Sequence, residues 1–142
     1  MSVIVWDGTT LAADTQCTHQ NMKRTMSKIF RHGDKLVAGV GDVRSVSAVR
    51  SWLDAGMDPA KFPVLGDDDS STVWVISKDG LLQFERSPHP LVFADTKLAD
   101  GSGRDYAMGA MAMGANAIKA VEVACQFDVY CGGEVEWMRL DD

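Results

Sequence analysis

The sequence predicts an α+β fold on three observations. Strand-forming runs occur at both ends of the chain, glycine-bearing turns between neighbouring runs are short enough to make antiparallel hairpins, and residues at helical spacing fall into two groups between them. A doubly wound parallel sheet would need strands alternating singly with helices, and that order is missing.

The first hairpin pairs residues 2–6 with residues 9–13 around Asp7-Gly8, because glycine takes the positive φ that a tight turn needs. Two registers are open: a two-residue turn at Asp7-Gly8 pairs Ser2 with Ala13, and a four-residue loop over 7–10 pairs it with Thr15. Residues 16–27 read as a polar connector. Lys28-Ile29-Phe30 resumes the strand pattern, Arg31-His32-Gly33-Asp34 turns it, and residues 35–40 form a short strand closing on Gly39-Val40-Gly41-Asp42. Asp42 is a helix N-cap whose carboxylate can accept from first-turn amides. Val46, Val49 and Leu53 recur at helical spacing with Trp52 beside them, and Gly56 and Pro59 stop the helix.

Residues 58–71, with two prolines, one glycine and Asp67-Asp68-Asp69, read as a surface loop. Strands at 72–77 and 81–85 flank Lys78-Asp79-Gly80, and 91–94 makes another short strand. The sheet needs cover, and residues 104–127 supply it. Ala107, Ala110, Met111 and Gly114 lie along one helix, and Asn116 caps a second with Ile118, Val121 and Cys125 on its inner face. Met108, Met111 and Met113 read as core filler rather than ligands. From Asp128 the strand pattern returns through Val129-Tyr130-Cys131 and Gly132-Gly133, then Val135 and Trp137 alternate with Glu134 and Glu136.

Composition narrows the function. The 142 residues suit one domain, 1–142, and 46% hydrophobic with 24% charged residues is the balance of a soluble globular protein. No apolar run reaches the ~18 residues that span a bilayer, and no basic and apolar leader precedes the first strand, so a cytoplasmic location is expected. A net charge of −6 without a Lys/Arg cluster argues against nucleic acid or an anionic membrane as partner. Cys17, Cys125 and Cys131 are an odd set without a CxxC pair, which suggests reduced thiols rather than disulfides or a zinc knuckle. His19, His32 and His89 are widely separated, and neither a metal nor a cofactor is expected.

The chemistry sits at the start of the chain. Ser2 is small enough to permit removal of Met1, which would put a free amine and a hydroxyl on one residue. An α-amine has a pKa of roughly 8, so such a residue supplies both nucleophile and proton acceptor.

Four separated pieces extend this reading: Thr10-Leu11-Ala12-Ala13-Asp14-Thr15, Ser27-Lys28-Ile29, Gly101-Ser102-Gly103 followed by Tyr106-Ala107, and Asp128-Val129-Tyr130-Cys131-Gly132-Gly133. In their order and spacing they resemble proteasome β subunits and the bacterial HslV peptidase, which are N-terminal nucleophile (Ntn) hydrolases. The resemblance implies a shortened four-layer αββα sandwich, two antiparallel sheets flanked by helices. It also implies threonine-type peptidase chemistry on peptides or unfolded proteins, in a homo-oligomer that can be a ring, with an ATPase partner an open matter.

Position by position, the resemblance makes Asp14 the active-site aspartate after the second strand and Lys28 the lysine beside the nucleophile. Ser102 becomes the serine that bonds the terminal amine and relays a proton, and Asp128 the aspartate that orients it. Gly41 is placed to offer its N–H to the oxyanion, with Gly39 the second choice. The bland alternatives are a surface Asp14–Lys28 ion pair, a turn serine at Ser102 and a connector at Asp128.

Three departures stand out. Cys131 occupies a position where the family has serine, and a thiol is the weaker donor. Less chain lies between the first helix and Thr72. Gly8-Thr9 looks like a processing junction, but a cut there would remove the strand meant to carry the nucleophile. Ser2 is therefore the expected nucleophile. The expected function is peptide-bond hydrolysis by Ser2 after loss of Met1; the alternative is a non-catalytic assembly protein on the same fold, and a third reading is a small-amide hydrolase.

Overall fold

A computed structural model describes residues 2–142. Along the described chain run β1 (Ile4–Trp6), β2 (Thr10–Ala13), β3 (Gln16–His19), β4 (Met22–Thr25), β5 (Ile29–His32), β6 (Lys35–Val40) and α1 (Val43–Asp54). After a 3₁₀ turn at Pro59–Lys61 come β7 (Thr72–Ser77), β8 (Gly80–Phe84), β9 (Leu91–Val92), β10 (Leu98–Asp100), α2 (Arg104–Ala112), α3 (Ala117–Phe127) and β11 (Glu136–Arg139).

The strands form two antiparallel sheets, a four-stranded one in the order β10-β1-β2-β11 and a five-stranded one in the order β5-β6-β7-β8-β9, with β3 and β4 as a separate hairpin. Side chains alternate across a strand, so β1 and β2 serve two interfaces at once. Ile4, Leu11 and Ala13 face the other sheet, where Leu36, Ala38, Trp74 and Ile76 meet them. Val3, Val5 and Ala12 face outward beneath α2 and α3, where alanines 117, 120 and 124 let the helix come close. On the far side, α1 lays Val49, Trp52 and Leu53 over Val37, Val73 and Val75. The layers are therefore helix, sheet, sheet, helix: the expected αββα sandwich of the Ntn hydrolase fold, shortened.

The expected caps form. Asp42 accepts from the N–H groups of Arg44 and Ser45 at the start of α1, and Asn116 accepts from Lys119 N–H at the start of α3. At Gly56 the chain turns away from α1 with φ +106.

Several local expectations are corrected. Residues 16–27 are not a connector but the β3–β4 hairpin, turned by Gln20 and Asn21 at φ +51 and +62, the positive pair of a type I′ turn. Every residue of β4 is exposed, so no apolar alternation marks it. β10 is a further strand that the pattern does not reveal. Val129-Tyr130-Cys131 is a turn rather than a strand, because Asp128 Oδ1 accepts from Tyr130 N–H at 3.0 Å and its carbonyl from Cys131 N–H at 3.1 Å. The inner face of α3 is Ala117, Ala120, Val121 and Ala124; Ile118 and Cys125 flank it, half-buried. Of the three methionines only Met111 fills core, while Met108 and Met113 are exposed.

Register and turn are set together by Asp7. Pairing of Ile4 with Ala13 and Trp6 with Leu11 leaves the loop 7–10, the longer of the two expected turns, and continuing it sets Ser2 opposite Thr15. Asp7 Oδ1 accepts from Thr9 N–H, Thr9 Oγ1 and Thr10 N–H at 2.8–2.9 Å, and its Oδ2 accepts from Ala117 N–H at 2.8 Å. One carboxylate thus shapes the hairpin and seats the N-terminus of α3 on it. Burial alone would raise its pKa, but these donors outweigh burial and hold it below the ordinary 3.8.

We expect Asp7→Ala to cost about 1–3 kcal/mol in denaturant unfolding, since a helix cap and a turn are lost together. A carboxyl whose folded pKa is lowered stabilises fully above its unfolded value and stops doing so as pH falls through the folded one. The stability gap between the wild type and Asp7→Asn should therefore shrink below about pH 4.

Candidate active site

The site is assembled around the end of β2. Asp14 follows that strand, fully buried, and Lys28, just before β5, is 7% exposed. Lys28 Nζ lies 2.5 Å from Asp14 Oδ1 and 2.6 Å from the Gln16 carbonyl. Asp14 Oδ1 also accepts from Val3 N–H at 3.1 Å, and Oδ2 accepts from Gly132 N–H at 3.0 Å. This is a buried, hydrogen-bonded ion pair, not the surface pair of the bland alternative.

A second chain of contacts runs from Ser2. Because β10 pairs with β1, ending at Asp100 opposite Ile4, the Gly101-Ser102-Gly103 turn passes directly over Ser2. Ser2 N–H donates to Ser102 Oγ at 2.9 Å, and the Ser2 carbonyl accepts from Gly103 N–H at 3.1 Å and from Ser102 Oγ at 3.4 Å. Gly101 has φ +99, and a Cβ there would overlap the Ser2 carbonyl. Only glycine lets the turn sit this close.

Asp128 closes the chain. Burial would raise its carboxyl pKa, but donation from Tyr130 N–H, then the Ser102 hydroxyl and the Cys131 thiol, brings it below the usual carboxylate value. Cys131 Sγ is 3.3 Å from Asp128 Oδ2. Burial, then the charge of Asp14 and the bond to Asp128, push that thiol far up, so Cys131 is a proton donor and not a thiolate. Burial also raises the Cys125 thiol, to about 11.

Ser2 and Lys28 border a cleft of about 620 Å³, with Gly39 and Gly41 on its wall. Gly39 spends its N–H on the Lys28 carbonyl at 3.0 Å. Gly41 lies just past the end of β6 at φ +113, so of the two it is the better placed donor. Asp42 N–H beside it is taken by Ser71 Oγ at 2.9 Å.

All the predicted residues therefore fall in one neighbourhood: Asp14 with Lys28, Ser2 with Ser102, Asp128 and Cys131, and both glycines on the shared cleft. The sequence reading missed Gln16, whose carbonyl holds Lys28 and whose Nε2 donates to the Val129 carbonyl at 3.2 Å. It also missed Arg44 and Arg50 on the cleft wall. Their place in the helix after Asp42 was visible, but not the face on which they lie.

No family model matches the chain, and no curated protein matches it in sequence. Solved structures do resemble it. Thiobacillus denitrificans BPH in complex with epoxomicin superposes with a TM-score of 0.74 at 22% identity, covering 99% of each chain. Eukaryotic HslV from Trypanosoma brucei gives a TM-score of 0.69 at 19% identity, over 97% of this chain and 98% of that one. The fold is thus HslV-like, of the proteasome type.

Removing one partner of the buried pair should be costly. We expect Lys28→Ala to lower unfolding free energy by about 3–5 kcal/mol, because the buried Asp14 carboxyl would be left without its cation. Adding Asp14→Asn to it should recover part of that loss in the same denaturant titration, since no charge is then stranded.

Proposed function

We propose that this protein is a proteasome/HslV-like peptidase of the Ntn type, acting on peptides or unfolded proteins through Ser2 once Met1 is removed. Met1 lies outside the described residues. The observation that carries the reading is the bond from the Ser2 nitrogen to Ser102 Oγ, 2.9 Å, with Asp128 ionised beyond it. Ser102 Oγ accepts from Ser2 and has one proton to give, for which Asp128 and, at 3.4 Å, the Ser2 carbonyl are the acceptors.

In this mechanism the Ser2 amine, directly or through Ser102 or a water, takes the hydroxyl proton as Oγ attacks the peptide carbonyl carbon. Lys28, held by Asp14, favours the deprotonated hydroxyl by its positive charge. The Gly41 N–H stabilises the oxyanion, a contribution worth about 10²–10³ in rate at comparable sites. The C–N bond then breaks, the proton passes to the leaving amine, and an acyl ester remains on Ser2. Water hydrolyses the ester by the reverse proton route and frees the carboxylic acid. We place residues 1–142 in one cytoplasmic catalytic domain that self-associates, in a ring or a smaller homo-oligomer; an ATPase partner would act on substrate delivery.

A second reading, a non-catalytic assembly protein, is favoured by one observation. The thiol of Cys131 stands where the resemblance expects a serine hydroxyl. Intact mass of the native chain separates the readings: loss of Met1 favours the peptidase, and retention favours the assembly protein.

We expect Ser2→Ala to lower kcat on a fluorogenic peptide by at least ~10³, and Ser102→Ala by about 10²-fold as a proton-transfer group is lost. Epoxomicin, the compound in the Thiobacillus denitrificans BPH structure, should form an adduct on Ser2 detectable by peptide mass mapping. Full activity in Ser2→Ala would end the peptidase reading.

A further inference from the structure

The cleft that Ser2 borders has a charged wall for which the mechanism finds no use. Helix α1 contributes Arg44 and Arg50 to it. The Arg50 guanidinium lies 3.4 Å from the centroid of the Phe30 ring and is half-buried. Neither arginine takes part in the ion pairs among the described residues, which join Lys28 to Asp14, His32 to Asp54 and Lys119 to Glu122. Lys28, the third cation of the cleft, is ion-paired with Asp14.

The counterbalance is small. Asp42 is the one carboxylate lining the cleft among the described residues, and its Oδ1 already accepts from the N–H groups of Arg44 and Ser45. In a chain of net charge −6, positive charge gathers at this cleft. Contact with the Phe30 ring covers one side of the Arg50 guanidinium, while its N–H edge keeps the fork geometry that matches a carboxylate. Phe30 and Val46 offer apolar surface to the methylenes of an incoming side chain.

We propose that the cleft selects peptides whose attacked carbonyl belongs to Asp or Glu, with the carboxylate paired to Arg50 and Arg44 at the rim. The inference rests on Ser2 being the nucleophile, because only then does the residue that enters the cleft supply the carbonyl.

The test separates pocket from chemistry. Binding is measured by fluorescence anisotropy on full-length Ser2→Ala, with labelled peptides that differ only in Glu, Gln or Lys at that residue. The Glu peptide should bind about tenfold tighter than the Gln peptide, as a charge-assisted bidentate contact gives, and the advantage should fall with added salt. Arg50→Gln should abolish the preference. Arg44→Gln, at an exposed position that does not threaten folding, should weaken it. Equal binding of Glu and Gln peptides, tighter binding of the Lys peptide, or binding of none would overturn the proposal. Reaction of Ser2 with epoxomicin in the wild type is read separately: an adduct with no Glu preference removes the pocket and keeps the peptidase, and a Glu preference with no adduct does the reverse.

Discussion

The interaction on which the site depends is the buried ion pair between Asp14 and Lys28. A lone buried carboxylate would be prohibitively costly, and here each of its oxygens is bonded. The donors to this aspartate, which β2 presents, come from three places: Val3 beside β1, Gly132 in the turn after α3, and Lys28 just before β5. β1 and β2 belong to one sheet and β5 to the other, so a single carboxylate ties both sheets to the C-terminal turn. Close packing of β1 and β2 on both faces keeps water away from that node and holds its distances.

Close approach by glycine makes the rest possible. The turn at Gly101 crosses the Ser2 carbonyl, and Gly103 packs against the side chains of Val3, Ala124 and Cys131 without room for a Cβ of its own. Gly132 fits against the Gln16 side chain in the same way. These contacts hold the Gly101–Gly103 turn against both Ser2 and the turn after Asp128. The helix layer over this sheet is built from alanines for the same reason, since larger residues would lift the turn away from the N-terminus.

The two faces of the candidate site differ in character. On the inner side, the Ser2, Ser102 and Asp128 chain is a graded set of donors and acceptors ending in an ionised carboxylate. On the outer side, the cleft is lined by α1 and carries arginines without carboxylate partners among the described residues. The first arrangement suits movement of a proton and the second suits recognition. An HslV-like fold accommodates both because the cleft lies between the β5–β6 edge and α1, away from the helices that close over the first sheet.

Local signals made much of this legible. Turns at Asp7-Gly8, Gly33 and Gly80, the caps Asp42 and Asn116, and the apolar runs of β1, β6 and β7 are short-range effects that a sequence carries outright, and with them the α+β class. The pieces holding Ser2, Asp14, Lys28, Ser102 and Asp128 were legible as separate motifs, and only the family resemblance, not their local spacing, put them in one place. What tertiary structure decided is long-range: the hairpin register, the β10 pairing, the contacts that bring the 128–131 turn to the site, and the side of α1 that faces the cleft. Ser2 meets a residue one hundred positions away, and Asp14 one that is 118 away. No local spacing encodes such contacts, because they exist only once two sheets have packed and the cost of burying Ser2 and Asp14 has been met by distant partners.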